Sequence, residues 1–279
     1  MNQTSARSDK LRQVVVAISA VVALIGSFIG SGAAGGTPIQ NASNGALAAD
    51  ATLIAPDGPA FSIWSVVYLG LVAYAIWQFL PAQTKQIRHR LLGYPAAASL
   101  LLNAAWILSI QFDLLWLSVP IIVILLAVLA WIFVLLLRYR PSNTWDALIT
   151  DGTMGLYLGW VCVATAANVS AVLVASGFAG FGLNPNIWSV LVLAVAAAVG
   201  IALALYGKGR LAPTASLCWG LVWVAVARLT GDLLSTPTAV AALVATALVL
   251  IVTLAARFRA TSSTRSSRSS RSSGPAATA

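Results

Sequence analysis

The sequence predicts an all-α integral membrane protein with about eight transmembrane helices, and three observations predict it. The chain of 279 residues is 59% hydrophobic and only 8% charged, with a mean hydropathy of +0.90, too little polar surface to coat a water-soluble globule. Its apolar residues fall in continuous runs of about 20, the length at which a helix rising about 1.5 Å per residue crosses a hydrocarbon core about 30 Å thick. The runs are rich in Leu, Val and Ala and do not alternate apolar with polar residues, as the strands of a spanning barrel would.

The first run, Val14 to Gly35, follows a basic start and ends among small residues, as a signal peptide does. It is longer than the roughly 7 to 15 residues of a signal core, so it is expected to persist as a helix. The second to fifth spans are Ala60 to Leu80, Leu91 to Gln111, Leu114 to Leu137 and Thr153 to Gly177. The sixth to eighth are Ile187 to Gly207, Ala212 to Gly231 and Pro237 to Ala256, with Arg228 and Asp232 trimming the apolar core of the seventh. The expected organisation is a cytoplasmic N-terminus over 1–13, a five-helix unit over 14–177 with an outer loop over 36–59, and three additional spans over 178–256. Residues 257–279 form a Ser/Arg tract that cannot bury enough apolar surface to fold, and they are expected to be a disordered basic tail.

Basic residues near a span are retained on the cytoplasmic side, which orients the chain. Arg7, Lys10 and Arg12 precede the first span, Lys85, Arg88 and Arg90 separate the second and third, and Arg138 and Arg140 follow the fourth. Lys208 and Arg210 follow the sixth, and Arg257, Arg259, Arg265, Arg268 and Arg271 follow the eighth. Fifteen of the sixteen basic residues thus share one side, which predicts that both termini are cytoplasmic. Asp50, Asp57, Asp113 and Asp232 lie on the other side, so the net charge of +9 describes an inner face meeting anionic lipid rather than nucleic acid.

Polar groups inside a membrane are costly and mark function by default. The chain has no Glu, its single His89 falls in a basic connection, and no pair of carboxylates or Cys/His ligands shares a span, so neither a metal site nor acid/base catalysis has support. Only Trp and Tyr could serve redox chemistry, which gives no ground for an enzyme. Cys162 and Cys218 fall inside spans and read as small apolar fillers.

Ten tryptophans remain. Trp77, Trp116, Trp145 and Trp188 lie near span ends, where amphipathic rings favour the headgroup layer. Trp106 and Trp160 are deeper, and each travels with an amide: Asn103 one turn from Trp106, Asn168 two turns beyond Trp160. Such amides serve either as hydrogen-bond glue between helices or as orienting groups of a pocket. The predicted topology places Trp64, Tyr68, Asn103, Trp106 and Asn168 in the outer half of the bilayer beneath the segment Thr37 to Pro59, with Trp160 one to two turns deeper. A flat aromatic or amphipathic ligand suits that setting, and a loop of this length suits a lid.

Three stretches carry a family resemblance. Tyr157-Leu158-Gly159-Trp160-Val161-Cys162-Val163-Ala164-Thr165-Ala166-Ala167-Asn168 matches the pattern Y-L-x-W-x-x-x-A-T-x-x-N, Leu102-Asn103-Ala104-Ala105-Trp106 matches L-N-x-x-W, and Phe61 to Tyr68 resembles F-x-P-V-W-T-x-L-Y. In these the chain resembles the TspO/MBR family of tryptophan-rich sensory proteins, relatives of the mitochondrial translocator protein, over roughly residues 14 to 175. The resemblance implies a five-helix bundle in the bacterial inner membrane that binds porphyrins and other tetrapyrroles, or sterols, under its first loop, with stress- or light-linked regulation. It implies ligand contacts at Trp64, Tyr68, Asn103, Trp106, Trp160, Ala164 and Asn168. Where the family has a Trp and paired prolines before its second helix, this chain has Leu53 to Pro59 and no Trp in the loop.

The three further spans echo the first five in part: Ile187 to Val190 repeats the pattern of Ile63 to Val66, and Trp223 with Ala227 repeats the spacing of Trp160 and Ala164. Arg228 and Asp232, four apart, are expected to form an ion pair or to meet a ligand. Gly26 and Gly30 permit close helix approach, within the chain or in a homo-oligomer. The expected function is a membrane receptor or sensor for a planar hydrophobic ligand; the alternative is a transporter of a small hydrophobic or amphipathic solute.

Overall fold

The computed structural model describes residues 3–272, with side chains described over 7–262. Among the described residues there is no strand, and eight helices are long and apolar enough to cross a membrane. They are α1 (Gln3–Gly30), α2 (Ile63–Trp77, of membrane length together with the turn from Gly58 that leads into it), α3 (Ile87–Gln111), α4 (Leu115–Arg138), α5 (Thr153–Ala175), α6 (Pro185–Tyr206), α7 (Leu211–Thr230) and α8 (Thr236–Ser272). The end of the Ser/Arg tract, residues 273–279, lies outside the described residues.

Helix starts follow the local chemistry. A 3-10 turn, Gly58–Ser62, leads into α2; the Asp57 carboxylate accepts from Gly58 N at 2.7 Å, and Pro59 occupies the first turn, where no N–H is needed. Asn184 caps α6 by accepting from Asn186 N at 2.9 Å, again with a proline, Pro185, at the first position. Three starts depart from the sequence expectation, the first being α1, which begins at Gln3, about three turns ahead of Val14. Helix α3 begins at Ile87, a turn ahead of Leu91, and α5 is preceded by a short turn, Thr144–Asp146, and a π-helical stretch, Ala147–Gly152. The latter two extensions carry charged residues into the bundle end.

Five helices close a ring: α1 packs on α3, α3 on α4, α4 on α5, α5 on α2 and α2 on α1. Helices α6, α7 and α8 pack on one another and join the ring mainly through α7 against α5. Small residues make that approach close. A Cβ on Gly155 would sit 2.8 Å from Ala212 Cβ, and one on Gly159 would overlap the Pro213 carbonyl. The Gly26/Gly30 pair serves the same purpose within the chain, since a Cβ on Gly30 would come 2.7 Å from Ile107 Cγ2 of α3.

The ring core is filled by Val67, Leu71, Leu100, Leu129, Leu158 and Val161, all buried, while Leu69 (72% exposed) and Ile251 (63%) point outward from their helices. An apolar exterior of this kind suits lipid rather than water. Trp116 and Trp145 lie exposed at helix ends, as rings at a headgroup layer would. Residues 31–57 fold back as a lid over the end of the ring where α3 and α5 finish: Ser43 Oγ donates to the Ile110 carbonyl at 2.9 Å, and Ile54 and Ala55 are buried.

Candidate functional site

Trp160, Ala164 and Asn168 recur every four residues along α5 and therefore share a face. Helix α3 presents Asn103 and Trp106 one turn apart, and α2 with its leading turn presents Phe61, Trp64 and Tyr68. The structure sorts these residues into two adjoining groups.

The first group surrounds Tyr68. Its hydroxyl accepts from Asn103 Nδ2 at 2.5 Å and shares a short hydrogen bond with Ser27 Oγ of α1, so one phenol ties α1, α2 and α3. The Trp64 ring stacks on Tyr68 with centroids 5.3 Å apart and meets Tyr157 and Trp160 edge-on at 5.8 and 6.3 Å. Edge-on pairs of this spacing set the positive rim of one ring against the negative face of the next. Tyr157, buried on α5, donates from its hydroxyl to the Ser99 carbonyl at 3.1 Å.

The second group lines a cavity. Trp106, Trp160, Ala164 and Asn168 form its walls, and lid residues Thr52 and Ala55 form its roof. Trp106 Nε1 donates to Asn168 Oδ1 at 3.3 Å, and Asn168 Nδ2 donates to Ser118 Oγ of α4 at 2.9 Å, so the amide fixes the indole against the α4–α5 seam. The cavity measures about 30 Å³, room for about one water molecule. Drug-sized ligands occupy several hundred Å³, about 300 at the least, so a planar macrocycle fits only if the lid lifts.

The group of α6, α7 and α8 contributes to this site through the lid, by way of α7, a role that sequence reasoning missed. Arg228 of α7 is 1% exposed, and its guanidinium donates to two lid carbonyls: Nη1 to Thr52 O at 2.9 Å and Nη2 to Ala49 O. Asp57 N donates to the Trp223 carbonyl at 3.2 Å, and Trp219 Nε1 donates to the Ala60 carbonyl at 2.9 Å. The lid and the turn that follows it are thus fastened along α7 at four points. The ion pair expected between Arg228 and Asp232 is not formed. Helix α7 stops at Thr230 and Gly231 turns extended, which takes Asp232 off the helix and leaves it exposed, so the spacing of four no longer places the two side chains on one face.

A second polar cluster, at the opposite end of the bundle, was also missed. His89, expected in a connection, is fully buried in the first turn of α3; its Nε2 lies 3.1 Å from Gln83 Oε1 and 3.5 Å from Asp146 Oδ1. Arg88 and Arg210 both pair with Asp151, and Arg88 Nη1 donates to the Tyr139 carbonyl at 2.5 Å. A π turn bonds residue i to i+5, which is the separation of Asp146 and Asp151, so both carboxylates come to the same cluster. No hydropathy pattern signals a π turn. The cluster joins α3, the approach to α5 and the start of α7, and buried pairs of this kind must stay complete because a lone buried charge is costly.

Comparison with curated proteins and with solved structures returns no match. A family model described as TSPO-like protein matches residues 17–255, from the middle of α1 to the apolar end of α8. The match includes the three helices beyond Gly177, which the motif resemblance did not reach. With the helical bundle, its eight membrane-length helices and a match over most of its length, this chain belongs to the TSPO-like protein family.

Proposed function

We propose that the protein is a membrane receptor or sensor whose ligand is a flat hydrophobic ring system, tetrapyrrole-like or sterol-like, held beneath the lid. Family membership supports a ligand-binding role in the membrane in general terms. The observation that carries the narrower reading is the convergence of Trp106, Trp160, Ala164 and Asn168 on one cavity roofed by Thr52 and Ala55. Two indoles offer stacking surface, Ala164 keeps the space between them open, and the Asn168 amide fixes one ring in place. On the orientation that the basic residues predict, the cavity lies in the outer half of the bilayer and the protein faces its ligand from that side. Trp64, Tyr68 and Asn103 then act as the rigid wall behind Trp160.

Titration of the purified protein with a porphyrin tests the reading. Saturable quenching of tryptophan fluorescence is expected, weakened about five- to a hundredfold in apparent affinity by Trp160→Ala, since stacking and burial of one indole are worth about 1 to 3 kcal/mol. Absence of saturable quenching with porphyrins and absence of binding by a fluorescent sterol would together remove it.

A further inference from the structure

Four buried polar atoms at the lid side of the bundle have no hydrogen-bond partner in the protein: Thr52 Oγ1, Trp160 Nε1, Asn103 Oδ1 and Arg228 Nε. Unpaired buried polar atoms are rare in folded proteins, and each calls for a physical explanation. Three of the four are hydrogen-bond donors, on residues linked through Thr52. Thr52 and Trp160 both line the cavity, and the carbonyl of Thr52 is the acceptor that holds Arg228. Thr52 is 6% exposed, Trp160 1% and Arg228 1%.

Arg228 adds an unusual feature. Its guanidinium is buried, yet among the described residues it forms no ion pair; its bonds go to two neutral carbonyls of the lid. Asp50 and Asp57 act on it electrostatically, but Asp50 is exposed and the Asp57 carboxylate is occupied by its own helix cap. A buried cation without a carboxylate is costly, and charge-assisted hydrogen bonds to an anion are about twice as strong as those to a neutral acceptor.

We propose that this corner is an acid subsite: the ligand carries a carboxylate, which takes hydrogen bonds from Thr52 and Trp160 and exchanges for the lid carbonyls at Arg228. The inference rests on the reading of the cavity as a ligand site and narrows the ligand to an amphipathic, anionic ring system. It also supplies a reason for the lid to move. The closed cavity has room for about one water molecule, and the same guanidinium that fastens Ala49 and Thr52 is the group an incoming carboxylate would engage. Binding of the acid end therefore releases two of the four lid fastenings, and helix α7 couples ligand occupancy to lid position.

A matched pair of ligands tests this on the full chain: a porphyrin dicarboxylic acid and its dimethyl ester, which share a ring and differ in charge. The wild-type protein should bind the acid about ten- to a hundredfold more tightly than the ester, the range expected for hydrogen bonds to a charged group. Arg228→Gln should bring that ratio close to one. Thr52→Val, which keeps shape and removes only the hydroxyl, should lower it by about threefold or more, and it serves if Arg228→Gln does not fold. Equal binding of acid and ester by the wild type, or a ratio unchanged in both variants, would overturn the acid subsite while leaving the cavity reading intact. Failure of both ligands to bind would overturn the subsite, and failure of the fluorescent sterol as well would overturn the cavity reading with it.

Discussion

Asn168 shows how much of the site turns on single polar atoms. Its carbonyl oxygen takes the Trp106 indole N–H and its amide nitrogen reaches Ser118, so three helices meet at one buried side chain. Asn168→Ala would strand the Trp106 N–H and the Ser118 hydroxyl without that partner. The expected cost is about 1 to 3 kcal/mol, read as a lowered midpoint of thermal unfolding in detergent. An unchanged midpoint would show that the amide is not holding the indole. The residue types at this site were legible in the sequence, because deep amides and tryptophans are conspicuous among apolar neighbours. Their pairings were not. An amide on α5 could bond to either neighbouring helix, and only packing decides that Asn103 turns to Tyr68 while Asn168 turns to Trp106. Arg228 was legible as an anomaly, expected to pair with Asp232 or to meet a ligand; the pair does not form, since the extended turn at Gly231, which leaves no hydropathy signal, carries Asp232 away.

Among the elements, the contact between α5 and α7 is the one on which the lid depends. Gly159 lies against the Pro213 carbonyl and the Ser216 hydroxyl, and Gly220 faces Val163, so the two backbones run nearly in contact along their length. Gly159→Val would force them apart at an expected cost of about 1 to 3 kcal/mol from overpacking. Because Trp219, Trp223 and Arg228 reach the lid from the same helix, the substitution should also loosen it. Hydrogen exchange offers a direct reading: the amide of Asp57, bonded to the Trp223 carbonyl, should exchange faster in the variant, and unaltered protection would separate the lid from the α5–α7 contact. The helices themselves were readable as apolar runs because membrane thickness fixes their length. Their starts were less so. Arg88 and His89 read as connection by charge, but the first turn of α3 takes them into the bundle, where Asp146 and Asp151 receive them.

At the scale of the whole molecule, a five-helix ring and a three-helix group share one lid. Motifs on α2, α3 and α5 pointed to the ring; nothing in the motifs pointed to the task of the three-helix group, because α7 holds the lid by the lid's own backbone groups, which any residue supplies. The family match through residue 255 places those helices within the same pattern as the ring. The lid-fastened cavity between Trp106 and Trp160 is the central claim, and Ala164 is its most sensitive point, a small residue lining that cavity. Porphyrin titrations of the wild type and Ala164→Leu, read by tryptophan quenching, test it most directly. Saturable quenching is expected in the wild type, weakened by at least about tenfold in affinity when the larger side chain occupies the space between the indoles. Equal affinity in a folded Ala164→Leu protein would place the ligand outside this cavity.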